Sequence, residues 1–197
     1  MRSTQKGIKY LVFSMKIGID VSQVVYEGTG VGRYVQELIP AVIRLSPDDQ
    51  FVLFGSSLRQ QQKLREFMIQ MEKKYSNVSS VIIPLPLSLL DIFWNKLHIL
   101  PITWFTGPLD IFWSSDWTQP PLGHVKGITT IHDVSFFRYP ESFHKKIVEV
   151  HKRRLYWAQK ECAHFLCDSE ATKKDVGVYA HIQAGRCSVI YPGVYGE

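Results

Sequence analysis

Cysteine is scarce in this sequence, and its spacing builds no framework. Cys162, Cys167 and Cys187 are odd in number and form no CxxC pair. That argues against a disulfide scaffold or a zinc site and points to a reducing cytosol. Cys167 falls in the apolar run "AHFLCDS" and reads as a buried small residue. Histidines show no HExxH-like spacing, so no metal set is expected. No apolar run is long enough to span a membrane. The most apolar stretch, "LPLSLLDIFWNKLHILPITWF", is interrupted by Asp91, Lys96 and His98. The N-terminus "MRSTQKGIKYLVFSM" has a charged start but only a brief apolar patch, too short for a signal-peptide core. Internal repeats and low-complexity segments are absent from the sequence.

What is present is an ordinary globular composition. The 197 residues are 45% hydrophobic and 21% charged, enough for one sizeable core or one domain plus a tail. Net charge is +5. A modest basic excess suits an anionic partner such as a nucleotide or a phospholipid headgroup, and equally a domain that merely happens to be basic. Met15-Lys16 reads as a natural start, so residues 1–14 are expected to be a leader or start-site extension and residues 15–197 the domain.

Short β-rich runs alternate with helical patterns. The strands expected are Lys16–Val21, "QFVLFG", "NVSSVIIP", "LDIFWSSD", "KGITTIHD", "AHFLCDS" and "RCSVIYP". Between them, Val31, Tyr34, Val35, Leu38, Ile39, Val42 and Ile43 follow helical spacing, and Leu58–Tyr75 forms a charged helix. "SLLDIFWNKLHILPITWF" reads as an aromatic helix broken near Pro101. A long basic helix covers about Glu141–Lys160, with His144 and His151 solvated, and a short one covers Glu170–Tyr179. This alternation predicts an α/β fold: a Rossmann-like, mainly parallel sheet with helices on both faces. Ligands of such sheets bind beyond the carboxyl ends of the strands, near the switch in strand order. Polar or glycine residues occur just after four strands: Gly28–Arg33, Ser114–Trp117, His132-Asp133 and Asp168-Ser169-Glu170.

The glycine loop "EGTGVGRY" lies where the first strand hands over to a helix. Helix starts carry unpaired N–H groups and partial positive charge, and glycine allows an anion close approach. A phosphate fits there; a plain tight turn is the alternative. No GK[ST] follows, so this is not a Walker loop. Val35 stands where GxGxxG needs its third glycine, which weakens a dinucleotide dehydrogenase. The second strand also ends in Gly55-Ser56, without an acidic residue. His132, at a strand end and followed by Asp133, can donate to a sugar hydroxyl or phosphate, with a nearby carboxylate fixing its tautomer. A satisfied structural histidine is the alternative. The basic helix can meet acidic headgroups, though a solvated face is the commoner case.

In order, "MKIGIDVSQVVYEGTGVGRYVQEL", "LDIFWSSDWTQPP", "GITTIHDVSFFRYPESF", "CDSEATKKDV" and "CSVIYPGV" resemble the N-terminal domain of retaining GT-B glycosyltransferases. The resemblance is to family 4, with its mannosyltransferase-like members, and covers about residues 15–195. It implies two Rossmann-like domains facing across a cleft, the N-terminal one receiving the acceptor and the C-terminal one holding most of a nucleotide-diphosphate sugar, GDP- or UDP-linked. Thr29, Gly30, Val31, Gly32 and Arg33 match the donor-diphosphate loop, with Thr29 in place of one glycine of the family's usual pair. His132 matches the active-site histidine near the transferred sugar. Asp133, Trp117, Ser169 and Glu170 are candidates for the acceptor or sugar cleft, and Trp113 stands where the family often has histidine.

The resemblance implies hexosyl transfer to a glycan or lipid-linked acceptor in polysaccharide biosynthesis, with neither metal nor protein nucleophile. It also implies a cytoplasmic location, at the inner face of a membrane if peripheral contact is made, and no nucleic-acid partner. The family's E-x7-E carboxylates lie in the C-terminal domain, and no such motif follows "VIYPGV" here. The expectation is therefore a fragment, inactive alone, lacking a donor domain of roughly 150–200 residues. A non-catalytic binding module, or a half-enzyme subunit completed by a partner, remains the alternative.

Overall fold

The computed structural model describes residues 14–193. Its centre is a seven-stranded, all-parallel sheet. The strands are β1 (Lys16–Asp20), β2 (Gln50–Ser56), β3 (Val78–Ile83), β4 (Ile111–Ser114), β5 (Lys126–Ile131), β6 (Cys162–Cys167) and β7 (Cys187–Val189). Their order is β3-β2-β1-β4-β5-β6-β7, so the strand order reverses between β1 and β4. All seven expected strands are present. The expected leader lies almost wholly outside the described residues.

A sheet covered on both faces needs strands apolar on both sides. β2 meets this requirement: of "QFVLFGS" only Gln50 is exposed. On one face α1 (Gly30–Leu45) and α2 (Gln61–Lys74) bury Val35, Ile39, Ile43, Leu64 and Met68 against Ile19 and Leu53. On the other, Trp94 packs with Phe54, Ile102 and Phe112. Each such fully buried side chain contributes roughly 1.5–3 kcal/mol. A third cluster lies under α6 (Lys145–Glu161) and α7 (Glu170–Tyr179), where Val148, Leu155, Phe165 and Val176 meet.

The aromatic segment after β3 differs from the expected helix broken at Pro101. A single turn, α3 (Leu87–Leu90), runs into a π-helical turn over Asp91–Lys96. The chain then reverses with His98 at φ 51° and Leu100 at φ 64°, before Pro101 is reached. The cause is tertiary. The His98 ring stacks on Trp157 at 3.5 Å, with Nε2 2.9 Å from Glu161 Oε1 and Nδ1 3.0 Å from the Trp94 carbonyl. α4 (Thr103–Thr106) follows, leaving Trp104 72% exposed, and the single-turn α5 (Ser135–Arg138) comes after β5.

The basic helix is also corrected. Pro140–Ser142 is a 3-10 turn, and α6 starts at Lys145, with the His144 side chain accepting from the Lys146 N–H. Its face is not uniformly solvated. Arg154 is buried, and Arg153 reaches Asp91 at 3.0 Å. His151 is half-buried, its ring 5.0 Å from Phe136 and 4.9 Å from Trp117. His144 stays exposed.

Candidate active site

The loops after β1, β4, β5 and β6 gather at one end of the sheet, around the β1/β4 switch point where open α/β sheets bind ligands. After β1 the chain makes a 3-10 turn, Ser22–Val25, and reaches Gly28 with φ 76°. Asp20 at the end of β1 accepts from the Ser22 N–H at 2.9 Å, and Ser22 Oγ accepts from the Ser56 N–H at 2.9 Å, tying this turn to β2. Burial raises the Asp20 carboxyl above its ordinary range against the lowering bonds from Ser22.

Thr29 is the N-cap of α1. Its Oγ1 accepts from the Gly32 N–H at 3.0 Å and donates to the Tyr26 carbonyl at 2.7 Å. The helix start is therefore half capped. Thr29 takes the Gly32 N–H through its side chain and the Arg33 N–H through its carbonyl. The N–H groups of Gly30 and Val31 are those left for a ligand. The two glycines differ in kind. A Cβ on Gly32 would strike the Tyr26 carbonyl and crowd Thr29, whereas a Cβ on Gly30 would meet nothing within 4 Å. Gly32 is needed for packing; Gly30 faces open space.

His132 follows β5. Its Nδ1–H donates to Asp168 Oδ2 at 2.7 Å, which leaves Nε2 as the ring atom able to meet a ligand. Asp168 follows β6, so the pair bridges the ends of neighbouring strands. Tyr34 of α1 sets its ring edge-on to the imidazole at 5.1 Å. Burial pulls the imidazole pKa down, but the Asp168 hydrogen bond and the charges of Asp116 and Asp168 outweigh it, so the net shift is upward. Burial also raises the Tyr34 hydroxyl, and the Asp168 charge adds to this.

Two clefts meet at this histidine. The first, about 620 Å³, lies along α1 and is lined by Gly30, Val31, Arg33, Tyr34, His132 and Asp168, among others. The second, about 240 Å³, lies between the loops after β4 and β5 and helix α6; Val31 and His132 line it too. The structure thus brings Gly30, Val31, Arg33 and His132 to the first cleft, and Trp117, Asp133 and His132 to the second. Asp133 is the neighbour of His132 in sequence but not its hydrogen-bond partner. Asp133 Oδ1 accepts from the Ser135 N–H at 2.8 Å instead. Ser169 caps α7 by accepting from the Thr172 N–H at 3.0 Å, and Glu170 is exposed in that helix's first turn. Neither lines the two clefts. Trp113 is buried, with its Nε1–H donating to Thr130 Oγ1 at 3.1 Å.

Sequence reasoning placed Asp168 and Asp116 at strand ends without giving either a role, and missed Tyr34, Arg154 and His151. Asp168 carried a signal, as the first polar residue after the sixth strand. Tyr34 had counted as one more apolar position of α1. Among the described residues no group of three or more His, Cys, Asp or Glu is placed to hold a metal, and no helix is long and apolar enough to cross a membrane.

The family model described as Glycosyltransferase Family 4 matches residues 28–195, from the glycine loop past the last strand. A search of curated proteins gives no match. With most of its length matched, and a parallel α/β sheet with a strand-end histidine and an open helix start, the chain belongs to glycosyltransferase family 4.

Proposed function

We propose that this chain is the acceptor-side, N-terminal domain of a retaining hexosyltransferase of mannosyltransferase-like type. It would use a GDP- or UDP-linked sugar and act in polysaccharide or glycolipid assembly. The observation that carries the reading is that the start of α1 and the His132–Asp168 pair line one cleft. The Gly30 and Val31 N–H groups would face the donor diphosphate. In the transfer, the bond from the anomeric carbon to the diphosphate breaks and its electron pair leaves with the phosphate oxygen. A bond from the acceptor oxygen to the same carbon forms on the same face, and the acceptor proton passes to the departing diphosphate. The helix start stabilises the developing negative charge. His132, held by Asp168, orients the sugar through Nε2, and the upward shift of its pKa favours protonation beside the leaving group. It is not assigned as a nucleophile. A C-terminal donor domain, in cis or in trans, would supply the rest of the donor site. Peripheral contact at the inner face of a membrane would use the exposed Leu97, Ile99 and Trp104.

The test is a transfer assay with GDP- and UDP-linked sugars and a panel of glycan and lipid-linked acceptors. The chain alone should give no transfer. Supplied with a donor domain of the same family, it should become active, and His132→Ala should abolish that activity. Transfer by the isolated chain would overturn the two-domain reading. Activity unaffected by His132→Ala would remove the role given to that residue.

A further inference from the structure

A third cavity, of about 20 Å³, shares Val31 and His132 with both clefts. It lies where the end of β1, the Ser22–Val25 turn, α1 and the loop after β4 come together, and Asp20, Gln23, Tyr34 and Asp116 line it. Each of these four carries a buried polar atom with no hydrogen-bond partner among the described residues: Asp20 Oδ2, Gln23 Nε2, the Tyr34 hydroxyl and Asp116 Oδ1. Asp20 and Gln23 are only 4% and 3% exposed, so bulk solvent does not serve them. Asp20 Oδ1, by contrast, accepts from the Ser22 N–H at 2.9 Å and from Ser22 Oγ at 2.5 Å. Ser115 and Thr130 also line the cavity and pull against the upward pKa shifts of Asp20 and Tyr34. Neither completes a hydrogen bond to Oδ2 or to the Tyr34 hydroxyl. A buried polar group without a partner bears its whole desolvation penalty, so four of them around one cavity call for a common partner.

Size and donor set decide what that partner is. A water molecule needs roughly 10–15 Å³ of space and two to four polar partners. The cavity has room for one and excludes any larger ligand. The four atoms divide evenly. Gln23 Nε2–H and Tyr34 O–H donate, while Asp20 Oδ2 and Asp116 Oδ1 accept. Water, with two lone pairs and two protons, matches this set one for one. A cation would meet the Gln23 N–H head-on. Burial also favours the uncharged form of Asp20, which weakens one of the two charges that would hold a cation.

We propose that this cavity binds one structural water, which accepts from Gln23 and Tyr34 and donates to Asp20 and Asp116. The water joins α1 to the ends of β1 and β4 at the switch in strand order. Its consequence lies in Tyr34. That ring stands edge-on to His132 at 5.1 Å, and its hydroxyl has no tether on the protein itself. The water fixes the hydroxyl and the ring fixes the imidazole, so Tyr34 is a positioning residue. Gln23 acts on His132 at second hand, through the same water. The site rests on the cavity and its four atoms, and stands independently of the transferase reading.

A high-resolution crystal structure of the chain, with a second crystal soaked in thallium(I), is the direct test. One isolated peak should lie about 2.6–3.2 Å from all four atoms, with no anomalous signal. A thallium peak there would make this a monovalent-cation site and overturn the proposal. So would the absence of any peak, whether or not Asp20 turns onto Ser115 and Tyr34 onto Thr130. Thermal melts and NMR test the site in solution. Tyr34→Phe and Gln23→Met should each lower Tm by about 2–4 °C, the effect of one net hydrogen bond in a chain of this size. Together they should lower it by clearly less than the sum, because both remove partners of one water. Gln23→Met, which alters neither ring, should also move the His132 ring-proton shifts. A Tyr34→Phe chain as stable as the parent, or strictly additive losses, would overturn the bridge. A Gln23→Met chain that loses stability while the His132 ring protons stay unmoved would overturn the positioning role.

Discussion

His132 Nδ1 lies 2.7 Å from Asp168 Oδ2, across the ends of two adjacent parallel strands. The bond fixes the tautomer and leaves Nε2 as the ring nitrogen available to a ligand. It also makes the imidazole a stronger base than its burial alone would allow. His132 should therefore titrate above the ordinary histidine range, and Asp168→Asn should bring it down; NMR of the ring protons reads both. The folded-state pKa is raised, so the stabilisation from this coupling is fully present below about pH 6.5. It is lost as pH rises through the folded value. The difference in Tm between the parent chain and Asp168→Asn should be larger near pH 6 than near pH 9.

His151 should move the opposite way. Burial pushes its pKa down, and the Arg154 charge adds to this against the raising influence of Asp116 and Asp133. A depressed histidine stabilises the fold above its unfolded pKa and loses that contribution as pH falls through the folded value. Ring-proton NMR should place His151 below His132, and Phe136→Ala, which uncovers its ring, should raise it toward the ordinary value.

The loop before α1 separates packing from binding. Thr29→Ala removes the cap on the Gly32 N–H and should cost about 1 kcal/mol. Gly32→Ala drives a methyl group into the Tyr26 carbonyl and should cost about 1–3 kcal/mol. Gly30→Ala meets nothing and should leave Tm within error, while its methyl group narrows the first cleft. Thermal melts of the three variants check the order.

All three cysteines are free and buried, and burial pushes the thiols of Cys162 and Cys167 up to about 12. Thiolate is the reactive form, so a thiol reagent at neutral pH should label the native chain slowly and all three sites promptly after unfolding. Because these folded-state values are raised, stability is intact below the ordinary thiol pKa of about 8.5 and falls as pH climbs above it.

The strand ends were legible because a parallel sheet leaves a strong trace: apolar runs, four of them followed by a polar or glycine residue. "IHD" and "CDS" marked the places of His132 and Asp168 in this way, but not their meeting, which depends on β5 pairing with β6 36 residues further on. Helix ends set by distant partners were not legible. Nothing near His98 announces that the segment turns there, because the stacking ring and carboxylate come from α6. Arg154 shows the same limit. Within "VHKRRLYW" it looks like one more solvated cation, yet it occupies the inward stripe with Leu155 and Ala158. The Ser115 and Thr130 carbonyls that satisfy it lie on or just beyond the sheet.

In the proposed function the start of α1 and His132 hold the two ends of one transfer reaction. An amide and imidazole NMR titration of the chain with GDP and with UDP tests it most directly. The Gly30 and Val31 amides should shift, and the His132 pKa should rise, as the diphosphate binds beside it. Diphosphate binding that leaves both places unmoved, or a response there to NAD(H) in place of the diphosphates, would contradict it.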